Sequence, residues 1–348
     1  MEMNVALLAP DAARWPELLA RVEHDFYHLP SYAELSARTD GGEARALVVD
    51  DGERTLLLPF VRRAIPGTEA LWDGTSPYGY PGPLVTGATG IAANDFASAA
   101  LDAAGPRLRA EGGVSLFVRL HPLLGALPRP SSGTLVQHGE TVFVDLARTE
   151  QAHWSETMSG HRNEINRAVR AGHRVVDDPD FAHVDRFVEI YQSTMQRVGA
   201  AAFYFFDRGY VLALREALGP RLQLAFVEID GTLAAGGLFV RTGSMVQYHL
   251  SGTDAAFARF QPTKLLLHTI RGRARERGDR YLHLGGGVGG KEDSLHRFKA
   301  GFSKGRVPFH TLRLLLDPER YATLSRARRP DLGATLDHTA FFPLYRSP

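Results

Sequence analysis

One lysine in this chain stands where a fixed positive charge can do chemistry. Lys299 follows Phe298 near the end of Tyr281–Phe302, YLHLGGGVGGKEDSLHRFKAGF. A lysine held beside a polar loop stabilises an oxyanion or a phosphate, because its ammonium is a compact charge. On spacing alone it is equally a solvated helix lysine. Just upstream, five of the six residues Gly285–Gly290 are glycine. Such a backbone can approach a ligand closely with its N–H groups open, so Gly286 and Gly287 are candidate contacts. A helix opening over Lys291–Ser294 would add its positive N-terminal end.

Two nucleotide-binding patterns nearly fit this stretch. Gly285, Gly287 and Gly290 satisfy G-x-G-x-x-G, with Asp317 at the end of the next strand. A dinucleotide fold needs several further strand–helix units, and only Pro318–Pro348 follow. Gly285–Gly290 with Lys291 also approaches G-x-x-x-x-G-K-[ST]. Position 292 is Glu, so the magnesium-binding hydroxyl is replaced by a carboxylate. What survives is a strand end, a flexible turn and a lysine on the helix beyond.

Other residue types with chemical potential lie elsewhere. His249, on an expected strand, and Asp293 are the candidate general bases, although a strand histidine is more often structural. Arg162, Arg167 and Arg170 lie on a basic helix that is either a solvated face or a phosphate contact. The loop Trp72–Pro83 contains Asp73, Tyr78 and Tyr80 among three glycines and three prolines, and reads as a rigid connection or a pocket wall. No His, Asp or Glu cluster has metal-ligand spacing, so no metal is expected.

The elements that must position these residues are legible in outline. The 348 residues, 44% hydrophobic and 23% charged with a net charge of +1, suit a globular chain of two domains without a global pull on nucleic acid or membrane. The absence of cysteine removes disulfides, thiolate metal sites and a thiol acyl-enzyme. No leader or membrane span is apparent, which makes the cytoplasm the expected location. Strands are expected at 44–50 and 55–62 around Asp51-Gly52, then a helix at 94–111 and strands at 114–120 and 141–146. The second half repeats the order: helices at 151–173, 181–199 and 208–217, strands at 222–229 and 232–241 around Asp230-Gly231, and a strand at 244–251. A helix at 262–277, a strand at 281–284 and a last strand at 310–317 complete it. The aromatic tail Pro330–Pro348 is expected to pack back on the body. The reading is a mixed α/β fold of two similar modules, 1–148 and 149–325, with a tail over 326–348.

The order of Pro262–Leu266, Tyr281–Gly287, Phe298-Lys299 and Phe302 resembles the FemABX-type aminoacyltransferases that build peptidoglycan bridges. Arg162–Ala168, Met195-Gln196-Arg197 before Tyr204-Phe205, Asp73–Pro83 and Arg119–Pro122 are similar to the same group. The resemblance implies two tandem GNAT-like modules, with the tail returning to the first and the active centre in the second. It implies transfer of an aminoacyl group from aminoacyl-tRNA to an amine, with no bound cofactor. The acceptor would be a peptidoglycan-precursor-like molecule or a small metabolite. Lys299 and Phe298 would lie at the catalytic centre. Arg197, Tyr204, Tyr248 and His249 would shape the acceptor pocket, Tyr78 and Tyr80 would close it, and Arg162, Arg167 and Arg170 would meet tRNA. The GNAT pyrophosphate signature is not evident, and neither is a coiled-coil arm. An acyl-CoA- or carrier-dependent N-acyltransferase and a non-catalytic GNAT-like binding module are the alternatives.

Overall fold

A computed structural model describes residues 3–330 and 341–347. The chain forms two compact units, one from Met1–His138 and Phe309–Pro348, the other from Gly139–Pro308.

The first unit begins with β1 (Asn4–Leu8), α1 (Arg14–Leu19) and α2 (Pro30–Asp40). It continues with β2 (Glu43–Asp50), β3 (Thr55–Ala64), β4 (Trp72–Thr75) and β5 (Leu84–Thr86), then α3 (Gly90–Ala110) and β6 (Gly113–Arg119). β1 to β4 pair antiparallel, and β4 then pairs parallel with β6 across the crossover helix α3. The β2–β3 hairpin forms as expected but with a four-residue loop, Asp51–Arg54. There the Asp51 carboxylate accepts the N–H groups of Glu53 and Arg54. Phe96, Ala100, Leu101 and Leu108 of α3 pack into the core against Leu47, Phe60, Leu116 and Val118 of the sheet.

The second unit repeats that order. It holds β7 (Gly133–Asp145), α4 (Glu150–Glu156), α5 (Ser159–Arg170), β8 (Arg174–Asp177), α6 (Val184–Arg197) and α7 (Arg208–Leu218). β9 (Leu222–Ile229), β10 (Thr232–Thr242) and β11 (Met245–Thr253) follow, then α8 (Pro262–Glu276), β12 (Tyr281–Gly285) and α9 (Ser294–Ala300). β8 to β11 are antiparallel, and β11 pairs parallel with β12 across α8. Asp230 and Gly231 both take positive φ, as a tight primed hairpin turn requires. Leu265, Leu266, Ile270 and Ala274 of α8 and Ile165 and Ala168 of α5 share the core with Phe302.

The chain ends with β13 (Gly305–Leu315) and α10 (Pro318–Arg328). Two strands explain why the compact units part at 138 and 309 rather than at the expected 148 and 325. The later part of β7 pairs with β12 and closes the second unit's sheet. The later part of β13 pairs with β6 and closes the first. Each strand therefore changes unit partway along its length, which a polar loop would not do and which no composition shift signals.

The tail returns to the first unit over its described residues. Leu344 is buried with Ile65, Val114 and Tyr321. The Tyr345 and Ser115 hydroxyls lie 2.7 Å apart, and Arg346 pairs with the buried Asp73. Positions 331–340 of the expected tail lie outside the described residues.

Candidate active site

The parallel pairing of β11 with β12 lasts three rungs, from Met245↔Tyr281 to Gln247↔His283. Beyond it β11 continues to Thr253 and β12 to Gly285 without pairing to each other. The β10–β11 register shifts between Leu238↔Leu250 and Phe239↔Tyr248, so the strand bulges at His249, just where it leaves β12. The end of this strand pair is the place where backbone and side chains of the second unit can receive a ligand.

Lys299 reaches that place from α9. Its ammonium donates to the carbonyl of Gly286 at 2.7 Å and lies 5.9 Å from the centre of the Tyr248 ring. Only 8% of the residue is exposed. Burial drives its pKa down to about 8, opposed by the Asp293 carboxylate. It is therefore a desolvated cation, mostly protonated at neutral pH, with donors left beyond the one that Gly286 accepts. The Tyr248 hydroxyl is hydrogen-bonded to Ser251, and burial raises its pKa to about 12.

α9 is held from behind. The Phe298 ring lies 5.6 Å from the His161 imidazole and 5.5 Å from Phe302. His161 Nε2 lies 2.9 Å from the Phe298 carbonyl, and Gly301 is needed because a Cβ there would run into the His161 ring. The buried Arg271 of α8 donates to the Thr157 hydroxyl at 2.9 Å and reaches the Phe302 carbonyl at 3.4 Å. Phe298 thus packs into the support of the helix, next to the lysine it precedes.

The glycine turn differs from the open cradle that its composition suggests. Asp293 caps α9, accepting from His296 N–H at 2.9 Å, and accepts Val288 N–H with its other oxygen at 2.9 Å. The amides of Gly290 and Lys291 bond within the turn, to Gly287 and Val288. A Cβ on Gly287 would collide with the Lys291 carbonyl and the Asp293 carboxylate. These glycines let the turn close on itself, and the group presented to Lys299 is the Gly286 carbonyl. Burial works to raise the pKa of Asp293, but the amides of His296, Val288 and Leu295 and the Lys299 charge together hold it below the carboxylate range.

The remaining expected residues separate into groups. His249 lies 3.5 Å from the Tyr210 hydroxyl, and burial lowers its pKa to about 4, so it is a neutral imidazole. Tyr210 stacks on Phe206 at 4.1 Å, and the Tyr204 carbonyl accepts the Tyr191 hydroxyl at 2.7 Å. Arg197, exposed at the end of α6, donates to the Thr253 carbonyl at the tip of β11 at 3.1 Å. On α5, Arg162 is turned inward onto the carbonyls of Trp154, Ser155 and Thr157. Arg167 is exposed and pairs with Glu164 at 3.2 Å, and Arg170 is exposed.

In the first unit, Asp73 is fully buried between Arg63 and Arg346. The Tyr78 carbonyl accepts the Tyr32 hydroxyl at 2.8 Å. The Tyr80 ring packs against Tyr27 at 5.7 Å and Phe309 at 5.3 Å. Ser251 and Arg271 were not singled out from the sequence, and His161 stood out only as part of the basic helix. The strand spacing of Tyr248 and Ser251 is broken by the bulge, and nothing in the local pattern marks a helical arginine as buried. Among the described residues, no group of three or more His, Asp or Glu side chains is placed to hold a metal ion. No helix among them is long and apolar enough to cross a membrane.

Residues 155–299 match the family model of the acetyltransferase (GNAT) domain, a match that ends on Lys299. No curated protein matches the sequence. Among solved structures, FemX superposes with a TM-score of 0.68 at 14% identity, covering 93% of this chain and 99% of FemX. The C-terminal domain of a putative lysylphosphatidylglycerol synthetase from Agrobacterium fabrum gives 0.55 at 15% identity, covering 92% and 95%. A tandem GNAT protein from the clavulanic acid biosynthesis pathway gives 0.50 at 14%, covering 91% and 99%. The chain therefore has a tandem GNAT fold, and its fold is similar to that of FemX.

Proposed function

We propose that this protein is an N-acyltransferase that moves an aminoacyl group from aminoacyl-tRNA to the amine of a peptidoglycan-precursor-like or small-metabolite acceptor. The observation that carries the reading is Lys299: a buried cation, hydrogen-bonded to Gly286 and beside Tyr248, where β11 and β12 part. The FemX-like fold over 93% of the chain supports the choice of donor.

In this reading the acceptor's neutral amine attacks the ester carbonyl of the donor. The carbonyl electron pair moves onto oxygen, and the ammonium of Lys299 stabilises that oxyanion. Collapse of the intermediate breaks the C–O bond, forms the amide and leaves the ribose oxygen, which takes up the proton lost by the amine. Direct attack needs no covalent enzyme intermediate, which suits a chain without cysteine. Phe298 sets the position of Lys299. Gly286 and Gly287 form the wall beside it, with Tyr248 and His249 on the opposite strand. Arg197 and Tyr204 border the acceptor. Asp73 fixes the first unit's tail, and Arg167 and Arg170 meet the tRNA backbone, with Arg162 bracing their helix.

A second reading, an acyl-CoA- or carrier-dependent N-acyltransferase, is favoured by the GNAT match over 155–299. Incubation with charged total tRNA and candidate amines, read by mass spectrometry, separates the two. Under the first reading, amide product forms and disappears when the donor is treated with ribonuclease. Product from acetyl-CoA alone, insensitive to ribonuclease, establishes the second reading.

A further inference from the structure

The helix that carries Lys299 is short, seven residues, and the lysine lies in its last turn. Carbonyls at and just past that turn are held by other elements. His161 Nε2 of α5 lies 2.9 Å from the Phe298 carbonyl. The Met158 N–H, at the start of α5, donates to the Gly301 carbonyl at 2.8 Å. Arg271 of α8 reaches the Phe302 carbonyl at 3.4 Å. Arg306 grips the carbonyls of Ala300, Ser303 and Gly305, but it lies only a few residues on and ties the turn to itself.

Arg271 differs from the rest of this set. Only 1% of it is exposed, and its neighbours Leu267, Ile270 and Ala274 on α8 are core residues. Nη1 donates to the Thr157 hydroxyl at 2.9 Å, and Nη2 lies 3.1 Å from His268 Nδ1. The Glu150 carboxylate is 3.6 Å from Nη2, with 48% of its side chain in solvent. Nε has no hydrogen-bond partner among the described residues. Burial pulls the pKa of this guanidinium down, against Glu150 and Glu156. A cation buried on these terms is costly, and an apolar side chain of similar volume would pack as well or better. Stability does not account for it.

What a guanidinium does here, and an apolar chain cannot, is bridge. Thr157 and Met158 join α4 to α5. The Thr157 hydroxyl accepts from Arg271 and donates to the His153 carbonyl at 2.8 Å, while Met158 holds Gly301. One planar fork therefore ties α8 to this link and to the end of α9. The link also starts α5, whose His161 backs the Phe298 ring. We propose that Arg271 is a positioning residue for the acyl transfer: it holds the last turn of α9 so that the Lys299 ammonium stays where β11 and β12 part. The catalytic consequence rests on the acyl-transfer reading, whereas the placement of Lys299 rests on these hydrogen bonds alone.

The test follows Lys299 directly, by NMR titration of the full chain labelled with ¹³C-lysine. The chain has four lysines, Lys264, Lys291, Lys299 and Lys304, and the signal missing from Lys299→Met is that of Lys299. In the parent it is expected to titrate at about 8. Arg271→Lys keeps the charge, but a point ammonium cannot span Thr157 and Phe302. The last turn of α9 then loosens and water reaches Lys299, so its midpoint is expected to rise by about one pH unit toward the ordinary lysine value. Thr157→Val keeps both volume and charge and is expected to shift the midpoint the same way. In the transfer assay Arg271→Lys is expected to lower kcat about tenfold or more, with KM for the acceptor within about twofold. A folded Arg271→Lys protein with the parent midpoint overturns the proposal, because charge alone would then suffice. Lowered kcat with an unmoved midpoint also overturns it and leaves Arg271 a purely structural role. Where Arg271→Lys fails to fold, Thr157→Val decides by the same two criteria. The titration needs no substrate, so its failure is distinct from a failure of the acyl-transfer reading, which shows as absence of product from every donor.

Discussion

The ammonium of Lys299 sits 2.7 Å from the carbonyl oxygen of Gly286, thirteen residues earlier in the chain. This bond ties the first turn after β12 to the last turn of α9 and fixes where the positive charge lies. Lys299→Met keeps the length and apolar stem of the side chain and removes the charge. It is expected to lower kcat by about 10²–10³, the usual effect of losing one oxyanion donor, with the circular dichroism of the fold retained. Unchanged turnover in a folded variant would sink the assignment of Lys299 as the catalytic cation.

The acidity of Lys299 gives a pH signature. Its active form is the ammonium, and burial brings its pKa down to about 8. The rate is therefore expected to fall as pH rises through about 8, in a limb that Lys299→Met lacks. Stability runs the other way. Between about 8 and the ordinary lysine value, the unfolded chain holds a proton that the folded chain has released, so unfolding free energy rises with pH. Because the lysine's charged form is the disfavoured one in the fold, Lys299→Met is expected to gain stability relative to the parent below pH 8. That advantage narrows toward pH 10. Chemical denaturation at pH 7 and pH 10 measures it, and a gap that does not change between the two pH values contradicts the buried-cation account.

Asp293 links the glycine turn to the lysine. It caps α9 and accepts Val288 N–H, and its charge holds the pKa of Lys299 up. Asp293→Ala is expected to cost about 1 kcal/mol in helix capping. It should also shift the basic limb of the rate profile to lower pH, since Lys299 loses the carboxylate that favours its protonated form. A variant with lowered melting temperature and an unmoved limb would assign Asp293 to capping alone.

Much of this architecture was visible in the residues. The hydrophobic periods place β9, β10, β12 and α8 to within a residue or so. Asp230-Gly231 specifies its hairpin through positive φ at both positions. The Phe298-Lys299 pair after a glycine turn is a candidate site on residue types alone. What was not legible is long-range. β7 was read from 141 onward and begins at 133, because its first half has no clear alternation. The exchange of β7 and β13 between units is written in pairing, not in composition. The glycine run looked open because composition shows flexibility, whereas the Asp293 carboxylate that fills the turn shows itself only in three dimensions. Arg162 looked like a surface charge for the same reason: its helix position says nothing of the three carbonyls it meets.

The tail and the first unit meet through one carboxylate. Asp73 is fully buried, with Arg63 Nε donating to it at 2.9 Å and the Arg346 guanidinium on its other oxygen. Removing either side of this group is not equivalent. Arg346→Ala leaves Asp73 still paired with Arg63, and the lost guanidinium was partly in solvent, with 23% of its side chain exposed. The expected cost is about 1.5–3 kcal/mol, that of a single hydrogen bond to a charged group. Asp73→Ala takes from two guanidiniums the buried carboxylate that they share, and a cost of about 3–5 kcal/mol is expected. Asp73→Asn falls between, since it keeps the volume and loses the charge. Urea denaturation of the three variants is expected to give that order. An Arg346→Ala protein as unstable as Asp73→Ala would mean that the tail, rather than the buried carboxylate, holds this face of the first unit together.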